Sequence, residues 1–277
     1  MEQATSRRRN SKITIIINSL QNFHNSKSKY LLALHSCSES FGIAIKDIKN
    51  PENIISSLKI FHTSKSKYLL ALHSCSESFG IAVKDIENPE QIIKSEVFNL
   101  GRSLSNKLFN CIENILPRKF WRQIIRIGVA KGPGGFTSTR LSLTTARTIA
   151  QQIDCSLDTM SSFHLMAHRL YKSLHENQIF DPFWIQDILP RRGVVAGKYQ
   201  LFKIHQEVNF HEFIELNTPQ LISNAKEIIP AIKASNNIEE DIIELINFSQ
   251  FCQNSKIKSD WQKTLPIYPT SPIDNKK

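Results

Sequence analysis

The sequence predicts an α/β protein, a mixed β-sheet with packed helices in two lobes, the C-terminal one smaller. Three observations predict this. Two short apolar runs, Tyr68–His73 (YLLALH) and Phe79–Lys84 (FGIAVK), flank a polar turn and read as a hairpin. From Ser103 onward the apolar spacing becomes helical, and helices then alternate with further short strands. Beyond about residue 179, Pro182, Pro190 and Arg191-Arg192-Gly193 break up short strands and the alternation ends.

Each element follows from its residues. Tyr68–His73 is an almost continuous apolar run, the pattern of a strand buried on both faces. Ser74–Ser78 is the turn, Asn88-Pro89 closes the hairpin, and Lys94–Leu100 supplies a third strand. Ser103–Leu116 carries Leu104, Leu108, Cys111, Ile112 and Ile115 at helical spacing, with Ser103 as N-cap and Pro117 as the stop. Ile124–Ala130 is a strand that enters a glycine-rich turn. A helix over Ser138–Gln152 follows, capped by Thr137 or Ser138, then a strand over Leu157–Met160 and a helix over Ser161–His175 capped by Ser161 or Ser162. Ala225–Ala234 and Glu239–Phe248 read as helices, and the proline-rich tail (LPIYPTSP) as irregular. This divides the chain into residues 1–63, an N-terminal lobe over 64–178 and a smaller lobe over 179–277.

Residues 1–63 stand apart because of a repeat. Ser26–Ala44 (SKSKYLLALHSCSESFGIA) recurs unchanged as Ser64–Ala82, and weaker matching continues on both sides. Stacked-repeat proteins share core positions and vary at the surface, whereas these copies agree at Lys, Ser and Glu as well. A tandem duplication of coding sequence, or an assembly error, accounts for this better than a solenoid. The second copy runs directly into the third strand while the first leads only into the second, so residues 1–63 are expected to lie outside the working fold and to be dispensable. The Arg-rich opening (MEQATSRRRNSK) has the composition of an organelle transit segment, though a spurious upstream extension explains it better.

Composition narrows the function. The 277 residues are 40% hydrophobic and 22% charged, ordinary for a soluble globular chain, and no apolar run reaches the ~20 residues of a membrane span. The formal charge is +10, but residues 1–63 hold nine Lys or Arg against four acids, so half of the excess lies in the leader. The remainder is a mild basic bias rather than an RNA footprint. Five scattered cysteines without a CxxC read as free thiols in a reducing cytoplasm.

The informative motif is Lys131-Gly132-Pro133-Gly134-Gly135-Phe136-Thr137-Ser138-Thr139-Arg140, between a buried strand and a helix start. Free N–H groups and the helix dipole favour an anion there, while a tight structural turn accounts for the same glycines. It is neither a P-loop nor GxGxxG. The run GPGGFTSTRLSLTTARTIA, followed by SSFHLMAHRL, resembles the TsaB family, also called YeaZ, whose members carry a GPGSFTG-type turn and an SSLEALA-like helix start. LLALHSCSESFGIAV resembles that family's first hairpin, and ILPRRGVVAGKYQ its later ARRGEVYAGLY strand. The resemblance covers about residues 67–200.

It implies a fold like that of actin, Hsp70 and the sugar kinases. It also implies a role as the non-catalytic scaffold or activator in threonylcarbamoyl transfer to the tRNA adenosine beside the anticodon. The implied partners are a TsaD-like catalytic subunit, a TsaE-like ATPase and, when alone, a second copy. The chain departs from the family at His73, where the family has Asp, and at Ser138, where it has Gly; both weaken nucleotide binding. An active phosphotransferase or hydrolase, and a basic RNA-binding module, are the competing readings.

The remaining candidates carry no catalytic assignment. His164 and His168 share a helix face at the spacing of metal ligands, but Ser162 and Met166 match the catalytic relative's histidines, so the pair is out of register and reads as helix-surface. No cofactor and no metal is expected. Asp158, Asp181 and Asp187 show no pairing, and Ser74, Cys75, Ser76 and Thr137 lack an evident His–acid partner. The partner-binding face is expected on Leu104, Leu108, Ile112, Leu141 and Thr145, which form stripes along two helices.

Overall fold

A computed structural model describes residues 66–88, 90, 93–174, 179–190, 192–205, 210–222 and 228–270, together with the strand backbones of 30–37, 40–47 and 54–55. It falls into two compact units, Met1–Lys65 and Ser66–Lys277. In the first, β1 (Tyr30–Cys37), β2 (Ser40–Asp47) and β3 (Ile54–Ile55) form an antiparallel sheet in the order β1-β2-β3.

The second unit opens with the predicted hairpin, β4 (Tyr68–His73) and β5 (Ser78–Asp85), followed by β6 (Ile93–Asn99). Helix α1 (Leu104–Ile115), β7 (Ile124–Ala130), α2 (Phe136–Ile153) and β8 (Ser156–Met160) complete a five-stranded sheet in the order β6-β5-β4-β7-β8, with β4-β7 and β7-β8 parallel. Strand alternation explains the doubly apolar β4. Leu70 and Leu72 face Leu108, Ile112, Leu143 and Ala146 of α1 and α2. Leu69 and Ala71 face Ile242, Leu245 and Ile246 of a later helix, α4 (Ile238–Asn254). Leu69, Leu70, Ala71 and Leu72 are all fully buried. Gly80 of β5 lets α4 approach, since a Cβ there would stand 2.5 Å from Ile238.

Between these parts lies a second sheet. Helix α3 (Ser162–Leu170) leads through a 3-10 turn toward β9 (Phe183–Leu189), β10 (Gly193–His205), β11 (Phe210–Ile222) and β12 (Ala231–Lys233), arranged β11-β10-β9-β12. Phe163, Met166 and Ala167 of α3 bury the inner face of this sheet with Phe183, Val195, Tyr199 and Phe213. The chain then crosses back, so α4 covers the first sheet although it follows the second in sequence.

Several local expectations change. The helix expected over Ala225–Ala234 is instead strand β12 where it is described, paired parallel to β9 and held by Trp184 N–H to Pro230 O (2.9 Å) and Ala234 N–H to Gln186 O (2.7 Å). A free strand edge satisfies these backbone groups better than a short helix following Pro230 would. Ser103 makes no side-chain cap; residues Gly101–Ser103 form a 3-10 turn that feeds α1 directly. The N-cap of α2 is Gly135 rather than Thr137 or Ser138, because the Gly135 carbonyl already accepts the Thr139 N–H at 2.9 Å. The Ser161 cap is present, accepting from His164 N–H at 3.1 Å.

Candidate functional site

The glycine-rich turn joins four elements. Lys131 N–H donates to Met160 O (2.9 Å) at the end of β8, and Ser162 N–H donates to Gly132 O (2.8 Å) at the start of α3. Ser162 Oγ also donates to Pro133 O at 2.5 Å. Gly135 N–H donates to Cys75 O (3.1 Å) in the β4–β5 turn, and a Cβ on Gly134 would lie 2.3 Å from that same oxygen. Ser74 Oγ donates to Ser138 O at 2.8 Å and lies 2.7 Å from Ser142 Oγ. The C-terminal segment closes the remaining side, with Ile267 N–H on Lys131 O at 2.7 Å. Of the two readings of these glycines, this geometry favours the structural one: the turn is a junction where backbones touch.

Phe136, Thr137 and Arg140 stand on its exposed rim. Phe136 meets Tyr268 at 4.7 Å between ring centroids, and the Arg140 guanidinium lies 5.3 Å from the Phe136 ring. Aromatic and cation–π contacts thus tie the tail to the start of α2.

His73, at the tip of β4, is fully buried. Its Nδ1 accepts from Cys75 N–H at 3.3 Å, which puts the ring proton on Nε2, 4.0 Å from Asp241 Oδ2 of α4. Burial, aided by the nearby Arg169, holds the imidazole down to about 3, so the ring is neutral. Asp241 is pushed up by burial to about 6 even though Arg169 Nε donates to its Oδ1 at 3.2 Å. The strand tip thus carries a neutral ring rather than a carboxylate, and the acid beside it comes from a helix far along the sequence. Cys75, raised by burial to about 11, remains a thiol at neutral pH.

The histidine pair of α3 is not on the surface, contrary to expectation. His164 and His168 stack at 5.4 Å, and His168 meets Phe210 and Phe213 at 4.9 Å each, because β11 covers this helix face. His164 lies 5.2 Å from the Tyr199 ring. Burial holds His164 down to about 4, with Lys131 adding to it, and holds His168 well below the usual histidine range. His168 Nδ1 is 3.6 Å from Glu244 Oε2, whose carboxyl burial raises to about 7. Among the described residues no group of three or more His, Cys, Asp or Glu is arranged to hold a metal ion.

The expected partner stripe faces inward. Leu104, Leu108, Ile112 and Thr145 are buried, and Leu141 is half-buried against the same core. Both helices turn their apolar sides to the sheet, and their outer sides carry Phe109 and then Arg140, Thr144 and Thr148, the last three at i, i+4, i+8 along α2. Phe109 stacks on Trp121 at 6.3 Å.

One buried ion pair escaped the sequence reading. Arg126 Nε and Nη2 donate to Asp158 Oδ2 and Oδ1 at 2.9 and 2.6 Å, and Nη2 also reaches Ile257 O at 2.8 Å. Ser259 Oγ donates to Asp158 Oδ1 at 2.5 Å, so the pair pins the C-terminal segment to the edge of the first sheet. A charge inside each of the apolar strands IIRIGVA and SLDTM was the signal available. Beside the pair, Lys131, Thr159, Cys252, Asp260 and Lys263 line a cleft of about 430 Å³.

A mixed sheet with helices on both faces and a glycine turn tied to its first hairpin defines an α/β protein of the YeaZ fold. The chain resembles in structure an uncharacterised protein from Pseudomonas aeruginosa with similarity to peptidase YeaZ, at 16% identity and a TM-score of 0.54, covering 74% of this chain and 100% of that one. It likewise resembles YeaZ from Pseudomonas aeruginosa, at 17% identity and a TM-score of 0.52, covering 73% and 99%. No family profile matches the sequence, and no curated protein matches it. Among the described residues no helix is long and apolar enough to cross a membrane.

Proposed function

We propose that this chain is a TsaB-like, non-catalytic subunit that binds a TsaD-like catalytic subunit and supports threonylcarbamoyl transfer to tRNA adenosine. One observation carries the reading. The four motifs that resemble the family lie in family order on a fold that spans whole YeaZ chains. A scaffolding role is supported by the chemistry of the strand tip, where a neutral His73 stands in place of the family's acid. Ser74 Oγ is bonded to Ser138 O, and the Cys75 thiol is raised by burial, so neither is poised as a hydrolase nucleophile. The partner face is the outer side of α1 and α2, around Phe109, Thr144 and Thr148, rather than the buried stripe.

The test mixes the purified chain with a TsaD-like subunit and a TsaE-like ATPase and measures binding by calorimetry and threonylcarbamoyladenosine formation on tRNA. Binding and stimulation are expected, with a Thr144→Glu, Thr148→Glu variant binding about tenfold or more weakly. Absence of binding, or sugar phosphorylation by the chain alone, would overturn the proposal.

A further inference from the structure

The first unit carries a second copy of the hairpin at the centre of the second unit. The two agree in sequence from Ser26–Ala44 to Ser64–Ala82, and they agree in register pair by pair. Tyr30 faces Asp47 as Tyr68 faces Asp85, and His35 faces Gly42 as His73 faces Gly80. The central slot demands much of its occupant: Leu69, Leu70, Ala71, Leu72, Phe79, Ile81 and Ala82 are all fully buried. The leading copy has the same residue at every one of these positions, and the same Gly, His, Ser and Cys where α4 and the glycine-rich turn close in. The first difference within the paired strands is Ile45 for Val83, a single methylene at a site 4% exposed.

We propose that the leading hairpin is a competent second occupant of this slot, exchanging with β4–β5 within one chain. Two things set the balance. The second copy reaches β6 through residues 86–92, whereas the first would need residues 48–92, a loop more than six times as long. Loop closure therefore favours the second copy by roughly fifteenfold, a bias and not a lock. Against it, among the described residues β1 pairs with β2 alone, whereas the same sequence in β4 is paired on both sides by β5 and β7. A strand built for the middle of a sheet is poorly placed at an edge.

The test uses the full chain with Leu72→Asp, which puts a carboxylate at a fully buried position. Exchange predicts that the variant still unfolds cooperatively as a monomer, because Leu34 takes over, while Leu34→Asp, Leu72→Asp together abolish folding and Leu34→Asp alone does not. Thiol labelling reads the occupant directly. Tryptic peptides ending at Lys46 and Lys84 differ in mass through Ile45 and Val83, so Cys37 and Cys75 are distinguished. Cys75 should be protected in the native chain, and protection should pass to Cys37 in Leu72→Asp. A Leu72→Asp chain as unfolded as the double variant would overturn the proposal, as would rescue seen only in dimers.

Discussion

Gly134 lies against the backbone of Cys75 so closely that a Cβ would stand 2.3 Å from the Cys75 carbonyl oxygen. The adjacent Gly135 donates its N–H to that same oxygen. This contact couples the first hairpin to the start of α2, and with Ser162 and Ile267 it makes the glycine-rich turn the junction of four chain segments. A backbone neighbour cannot step aside as a side chain can, which separates these two glycines experimentally.

Gly134→Ala should therefore destabilise by about 1–3 kcal/mol through overpacking. At Gly135 the nearest atom to an added Cβ is the Ser138 hydroxyl, a side chain that can rotate, so Gly135→Ala should cost clearly less. Urea midpoints of the two variants check the order, and equal losses would contradict it.

Leu108→Ala should cost about 2–5 kcal/mol, since the side chain is buried between α1 and the sheet. Thr144→Ala on the exposed side of α2 should change stability by about 0.5 kcal/mol or less. Thermal unfolding of both distinguishes the core stripe from the free face.

Asp158→Ala leaves Arg126 charged and buried without its partner, and should cost about 3–5 kcal/mol. Because Arg126 and Asp158 also hold Ile257 and Ser259, limited proteolysis should cut sooner within residues 257–265. Replacing both partners, as Arg126→Met with Asp158→Leu, should recover most of the stability but not the protection.

His168→Phe tests the buried histidines through pH. A histidine neutral in the fold but free to charge when unfolded contributes fully above about 6.5 and loses that contribution as pH falls below it. His164 and Glu244 face it on α3 and α4, and His211 acts on it from β11. Glu244, raised to about 7, shifts stability in the opposite direction and is common to both chains. Relative to the native chain, the variant should thus gain about 1.4 kcal/mol for each pH unit below 6.5. Parallel stability curves between pH 7 and pH 5 would show that His168 titrates normally.

Local pattern alone determined most of the elements. The apolar run of β4, the spacing of α1, the Pro117 stop and the Ser161 cap depend on neighbours within a few residues, and they stand where the sequence puts them. Tertiary structure decided what each face meets. Helical spacing places Leu104, Leu108 and Ile112 on one side, but only the sheet beneath shows that this side is the core. His164 and His168 share a face by period, yet Phe210 and Phe213, from a strand beyond the next hairpin, are what bury it. The acid near His73 comes from α4, after the chain has built a second sheet and returned. Periodicity is a property of adjacent turns, whereas the covering of a face is set by contacts between residues far apart in the chain, which no local spacing encodes.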